Sequence, residues 1–191
     1  PLGAAIRFTR WVGGLYYPGY DRLSQAVSDL TAVGAPSYRV AGGLSAAYGL
    51  FSCLCSTLVC IVVYQSLAGG RAFRLGVYLF AVMNWVSAVG YSLFPLSVAG
   101  YAGTFQDVMH TYVVTSLVVL LSIASLVLII VGGLRSGGRL HGLPVYAAAA
   151  LLCMLAGVVG VGLVPASRFG VMERFSTYSA VLFNALLGIY G

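Results

Sequence analysis

Apolar residues in this chain come in long unbroken runs, separated by isolated charges, rather than in the short alternations of a strand. The charge-free stretches are 40–70, 75–106, 108–134, 142–167 and 175–191. A membrane-crossing helix needs about 20 mainly apolar residues to cover roughly 30 Å of hydrocarbon. The first four stretches meet that length, and the last reaches 17 residues where the sequence stops. The pattern predicts an all-α polytopic transmembrane bundle with five spans, at about 41–66, 73–94, 106–132, 144–165 and 172–191. A run such as 117–131 excludes a barrel strand, which would alternate polar and apolar residues. Turn chemistry separates the spans at Gly69-Gly70, Phe94-Pro95, Gly132-Gly133, Gly137-Gly138 and Pro165. Small residues recur at helix-contact spacing as Gly42/Ala46, Gly43/Ala47 and Ala156/Gly160, where close backbone packing is expected.

Residues 1–40 read differently. Arg7 and Arg10 interrupt the first 17 residues, which are too short and polar to span. Leu23, Ala26, Val27 and Leu30 then recur at i, i+3, i+4, i+7, opposite Ser24, Gln25, Ser28 and Asp29. With Asp21 before them and Gly34-Ala35-Pro36 after, they predict an amphipathic interfacial helix over about 22–32. The chain thus divides into a segment over 1–40 and a bundle over 41–191. Because it opens on Pro1 and ends within an apolar run, it reads as a piece of a longer protein; no signal peptide is recognisable.

Composition sharpens the class. Of 191 residues, 60% are hydrophobic and 7% charged, with a mean hydropathy of +0.98. A soluble domain carries about 25% charged residues, so a soluble enzyme is excluded. The +6 net charge comes from ten arginines without a lysine. They are scattered, so no basic run could follow a nucleic-acid backbone.

Five spans sort the charges by side. Arg71, Arg74, Arg135 and Arg139 lie in acid-free loops, and the positive-inside rule makes that face cytoplasmic. All four acids, Asp21, Asp29, Asp107 and Glu173, fall toward the other face, with His110, Arg22, Arg39, Arg168 and Arg174. This asymmetry is the main functional clue.

Thr104-Phe105-Gln106-Asp107 reads as a capping box, and Asp107 and His110 stand i, i+3 on one helix face within hydrogen-bonding reach. A histidine held by a carboxylate suits a base, a metal ligand or a headgroup donor. The same two residues also fit a cap and an interfacial histidine without further role. Glu173, Thr177 and Asn184 share one stripe of the last span, and Arg174 opens that span beside them. An ordinary helix-start acid and a snorkelling arginine fit as well. Asn84 reads as interhelical glue.

Other chemistries find little support. His110 and His141 fall on opposite faces, and no metal-ligand spacing occurs, so neither a metal nor a cofactor is expected. Cys53, Cys55, Cys60 and Cys153 lie within spans without a C-x-x-C pair and read as small hydrophobes. There is no G-x-S-x-G, P-loop or dinucleotide fingerprint. Ser28, Asp29 and His110 share a face, which leaves a nucleophilic arrangement open.

The stretch Tyr17 to Ser37, YPGYDRLSQAVSDLTAVGAPS, resembles the first outer loop of the domain-of-unknown-function 998 family, where a YxxxxxxISELGAxGAP-like sequence precedes the second of about six helices. Phe94-Pro95, His110 and Gly170-Val-Met-Glu-Arg174 match in order, so the resemblance covers essentially the whole chain. It departs at Leu96, where an acid often follows the Phe-Pro. The resemblance implies a further helix ahead of Pro1 and both termini cytoplasmic; it implies no activity. A looser likeness is to the Frag1/DRAM/Sfk1 membrane proteins, tied to lipid organisation.

The leading expectation is a bacterial, non-enzymatic plasma-membrane protein whose partners are membrane lipids. Its ligand would sit in an outer-leaflet cavity lined by Asp29, Asp107, His110, Glu173 and Arg174. One alternative is an intramembrane lipid-modifying enzyme with His110, Asp107 and Glu173 as its catalytic groups. The other is a small-molecule transporter, for which Asn84 and Asn184 are the only deep polar candidates.

Overall fold

The structure is a computed structural model that describes residues 16–136, 140 and 142–190. Arg7, Arg10, Arg139 and His141 lie outside the described residues. Among those described, helices are the only regular secondary structure. The five long ones are α1 (Tyr38–Ser66), α2 (Arg71–Leu93), α3 (Phe105–Leu134), α4 (Leu143–Leu163) and α5 (Phe169–Tyr190).

Local chemistry sets their ends. Leu67 and Gly69 take positive φ after α1, and α2 starts from an extended Gly70. Phe94-Pro95 closes α2, because a residue before proline is pushed out of helical conformation. Thr104 and Asp107 form both halves of the capping box that starts α3. Gly142, at φ 87°, and Pro144 start α4, and Pro165 follows its end. Each helix falls within three residues of its expected span.

Four helices, α1 to α4, are long and apolar enough to cross a membrane. Helix α5 has the length, 22 residues, or about 33 Å at 1.5 Å per residue. Its polar residues, Glu173, Arg174, Ser176, Thr177 and Asn184 among them, set it apart. Large apolar side chains face outward from the bundle, including Leu58, Leu152 and Leu163 at 61%, 68% and 78% exposure. Water would not tolerate so much exposed hydrocarbon, whereas acyl chains do.

The helices form a ring in which α2 packs between α1 and α3, α4 between α3 and α5, and α5 returns to α1. Odd-numbered helices run one way and α2 and α4 the other. Loops 16–37, 94–104 and 164–168 therefore share one end with all four acids, here the acid end, and Arg71, Arg74 and Arg135 mark the other.

The two halves of the ring are filled differently. Toward the arginine end the interior is close-packed around Val63, Phe73, Phe80, Ile129, Phe183 and Leu187, with Phe80 and Phe183 edge to face at 5.2 Å. Glycines permit the close approaches: a Cβ at Gly76 would strike Ile129 and Ser125, and one at Gly132 the Phe73 backbone. On the α4–α5 contact, Gly157 lies against Ser176 and Gly160 against Met172. The stripe Gly42/Ala46 and Gly43/Ala47 behaves otherwise than expected. A Cβ at Gly42 or Gly43 would meet nothing within 4 Å, because both glycines face a cleft in the acid-end half.

The interfacial helix expected over about 22–32 is also replaced. Residues 22–27 run through turns and bends, and only Ser28–Thr31 form a 3-10 turn. The Asp21 carboxylate accepts the Leu23 amide at 2.9 Å and the Ser24 hydroxyl at 2.6 Å. The Asp29 carboxylate takes the Ala26 amide at 3.0 Å. Short acidic side chains thus bind local donors and compete with the helical ladder. The expected faces are partly reversed, with Asp29 buried and Leu23 exposed.

Candidate functional site

The acid end is built by carboxylates that gather loop amides. Asp107 is fully buried and accepts from the Ser97 amide (2.8 Å) and hydroxyl (2.9 Å), the Ala102 amide (3.1 Å) and the Thr104 amide (3.2 Å). Asp29 accepts the Gly100 amide at 2.8 Å, which ties loop 16–37 to loop 94–104. Val33 and Gly34 bond the Leu96 and Ser97 carbonyls across the same seam. Leu96 is buried there against Ala32 and Ala35, an apolar plug between the two loops.

Arg174 performs the corresponding task on α5. Its Nη1 donates to the Arg22 and Gln25 carbonyls at 2.7 and 2.9 Å, and to Gly170 one turn back. Its Nη2 reaches the Tyr20 hydroxyl at 2.6 Å. Gly170 makes room, because a Cβ there would meet the Gln25 and Arg22 carbonyls. Tyr20 in turn donates to the Ala26 carbonyl at 2.6 Å. Burial pushes the Tyr20 phenol up to about 12, against the opposing pull of Arg174. At exposed Asp21 the Ser24 hydroxyl, and then the Leu23 amide, hold the carboxyl below its usual range.

Beneath these loops lies a cleft of about 1790 Å³ between the acid-end halves of the helices. It exceeds the ~300–1,000 Å³ of a typical small-molecule pocket. Apolar side chains such as Leu50, Met83, Val119 and Val181 alternate on its wall with Tyr48, Asn84, Tyr91 and Ser122. Its charged lining residues are Asp29, Arg39 and Glu173, all near the mouth.

Of the five residues singled out in the sequence, Asp29, His110 and Glu173 line this cleft, while Asp107 and Arg174 stand behind it in the loop scaffold. Asp107 and His110 stay on one helix but bond elsewhere. The His110 Nδ1 lies 2.7 Å from the Phe94 carbonyl oxygen. A carbonyl only accepts, so Nδ1 carries a proton, and in the neutral ring Nε2 presents the lone pair. The Tyr91 ring packs on the imidazole at 4.7 Å between centroids.

His110 also sits in a π-helical stretch, Met109–Val114, within α3. The Thr115 hydroxyl donates to the His110 carbonyl at 2.8 Å and contacts the Tyr91 hydroxyl at 3.0 Å. Such single-turn widenings occur disproportionately at functional sites. No sequence signal marks this one.

Glu173 is partly exposed, and its bonds are long: the Val27 amide at 3.3 Å and the Thr177 hydroxyl at 3.5 Å. Arg39 was legible in the sequence only as one more arginine on the acid face. It is exposed on the cleft rim, and no hydrogen-bond or ion-pair partner is seen for it among the described residues.

These features define a multi-pass helical membrane protein, close-packed at one end and hollow at the other, with charged residues gathered at the mouth of its cleft. The family described as protein of unknown function DUF998 matches residues 2–190, and the chain belongs to it. No curated protein and no solved structure matches the chain.

Proposed function

We propose that this protein binds a lipid or similar amphiphile in the cleft, as a non-enzymatic component of a bacterial plasma membrane. In this reading α5 is a fifth span, the acid end faces outward, and the loops bearing Arg71, Arg74, Arg135 and Arg139 face the cytoplasm. The observation that carries it is the cleft itself: about 1790 Å³, with walls of hydrocarbon interspersed with uncharged hydroxyl and amide groups, and charge confined to its mouth. That is the polarity profile of an amphiphile, whose tails need hydrocarbon contact and whose headgroup needs hydrogen-bonding partners. Asp29, His110 and Glu173 face the ligand. Asp107 and Arg174 hold the loops that carry or cover them.

The test is lipid analysis of the protein purified in mild detergent, alongside Gly42→Leu and Gly43→Leu variants. The wild type is expected to retain lipid at about one per protein, and the leucines to expel it, because both glycines open onto empty cleft. A wild type that carries no lipid, or leucine variants that keep it, overturns the reading.

A second reading, lipid modification with His110 as general base, draws on the His110 tautomer, whose Nε2 lone pair is free to accept a proton. Turnover of added lipid by the wild type that is lost in His110→Gln supports it, and no turnover by either dismisses it.

A further inference from the structure

The cleft mouth carries two opposite charges on different helices. Arg39 lies in the first turn of α1 and Glu173 in the first two turns of α5, and both line the cleft. These helices run in the same direction, so both residues stand at the acid end, where Ser24 to Asp29 of the loop ahead of α1 line the same cleft.

Neither charge is fully engaged by the fold. Helix α1 has no acid in its first turn, and the positive end of a helix dipole disfavours a cation there. Arg39 therefore lowers the stability of its own helix and is compensated by no partner among the described residues. Glu173 follows the opposite course to its neighbour. Arg174 commits its guanidinium to the Arg22, Gln25 and Gly170 carbonyls and the Tyr20 hydroxyl, and forms no hydrogen bond with the carboxylate beside it. Glu173 keeps two long hydrogen bonds and unused lone pairs. Asp29, the third charge at the mouth, is occupied by two backbone amides. Deeper in the cleft the polar lining is uncharged.

We propose that the mouth is a headgroup subsite for a zwitterionic aminophospholipid, in which Arg39 takes the phosphate and Glu173 the ammonium group. This rests on the reading of the cleft as an amphiphile site and names its ligand class. The planar guanidinium fork matches phosphate oxygens, and such charge-assisted bonds are the stronger kind. A carboxylate accepts from an ammonium in the same way. An anionic phospholipid without an amine leaves Glu173 unpaired beside added negative charge, and a neutral diacylglycerol leaves Arg39 unpaired. Discrimination against both follows from those unpaired charges rather than from shape.

The experiment is native mass spectrometry of delipidated, full-length protein. It is offered equimolar dioleoyl phosphatidylethanolamine, phosphatidylglycerol and diacylglycerol, which share the same tails. The wild type is expected to retain phosphatidylethanolamine at least about tenfold over either competitor, as one charge-assisted bond implies. Glu173→Gln, which keeps a hydrogen-bonding side chain, should equalise the two phospholipids. Arg39→Gln, at an exposed position, should narrow the preference for phosphatidylethanolamine over diacylglycerol severalfold, the remainder coming from Glu173 and the amine. Equal retention of all three lipids by the wild type, or an unchanged preference in both variants, overturns the headgroup assignment and leaves the cleft reading standing. Retention of none by the wild type overturns both.

Discussion

Arg174 on α5 donates from Nη2 to the Tyr20 hydroxyl at 2.6 Å, across 154 residues of chain. This bond, with those to the Arg22 and Gln25 carbonyls, clamps the loop ahead of α1 onto α5 and closes that side of the cleft. Tyr20→Phe removes the Nη2 acceptor and the donor to the Ala26 carbonyl. It should cost about 1–3 kcal/mol of local stability, read as faster amide exchange over 20–27. Unchanged exchange there would mean the clamp holds nothing.

The same phenol gives the loop an alkaline limit. Its folded value is raised to about 12 by burial, from an ordinary value near 10. Below pH 10 the phenol is protonated whether the loop is docked or free, so docking is independent of this group. Between about pH 10 and 12 the free loop ionises and the docked one does not, so docking weakens as pH rises. Protease cleavage within 16–27, followed from pH 9 to 12, should increase over that window in the wild type. In Tyr20→Phe this pH-dependent rise should be absent.

Asp107 should matter to architecture before chemistry. Its carboxylate binds three loop amides and the Ser97 hydroxyl and closes the capping box of α3. Asp107→Ala should accelerate amide exchange at Ser97, Ala102 and Thr104 together. Asp107→Asn, which keeps one carbonyl acceptor, should fall between. Exchange that rises at Thr104 alone would show a cap and no loop anchor.

Two glycine substitutions should separate the hollow half from the packed half. Gly42→Ala adds a methyl group to open space and should stabilise by up to ~1 kcal/mol, the propensity difference between the residues in a helix. Gly132→Ala drives its methyl into the Phe73 backbone and should destabilise by about 1–3 kcal/mol. Thermal unfolding in one detergent compares them, and equal shifts would contradict the two-part packing.

Asn184 is 1% exposed, and neither its amide nitrogen nor its carbonyl oxygen has a hydrogen-bond partner among the described residues. A buried polar group left unpaired is costly, so Asn184→Leu, close in volume, should raise stability by about 1–2 kcal/mol. A lower melting temperature instead would reveal a partner for the amide in the working protein.

The sequence by itself determined the membrane class, the positions of the five helices and the segregation of all four acids to one end. Those features are one-dimensional: run length, proline and glycine placement, and the alternation of loops between two faces. The Thr104–Asp107 capping box belongs with them, since its reach is three residues. The segment around Leu23 departs from its amphipathic pattern because Asp29, besides its local donor at Ala26, takes one at Gly100, 71 residues away. Tertiary structure alone decided which charges are spent and which remain. Asp107 is consumed by amides of the loop just ahead of its own helix and Arg174 by carbonyls 149 and 152 residues away, while Arg39 and the loosely bonded Glu173 are left at the cleft mouth. It also decided that Gly42 and Gly43 face a cavity rather than a helix. The spans are so uniformly apolar that their sequence carries little record of which face meets lipid, which meets protein and which is left open.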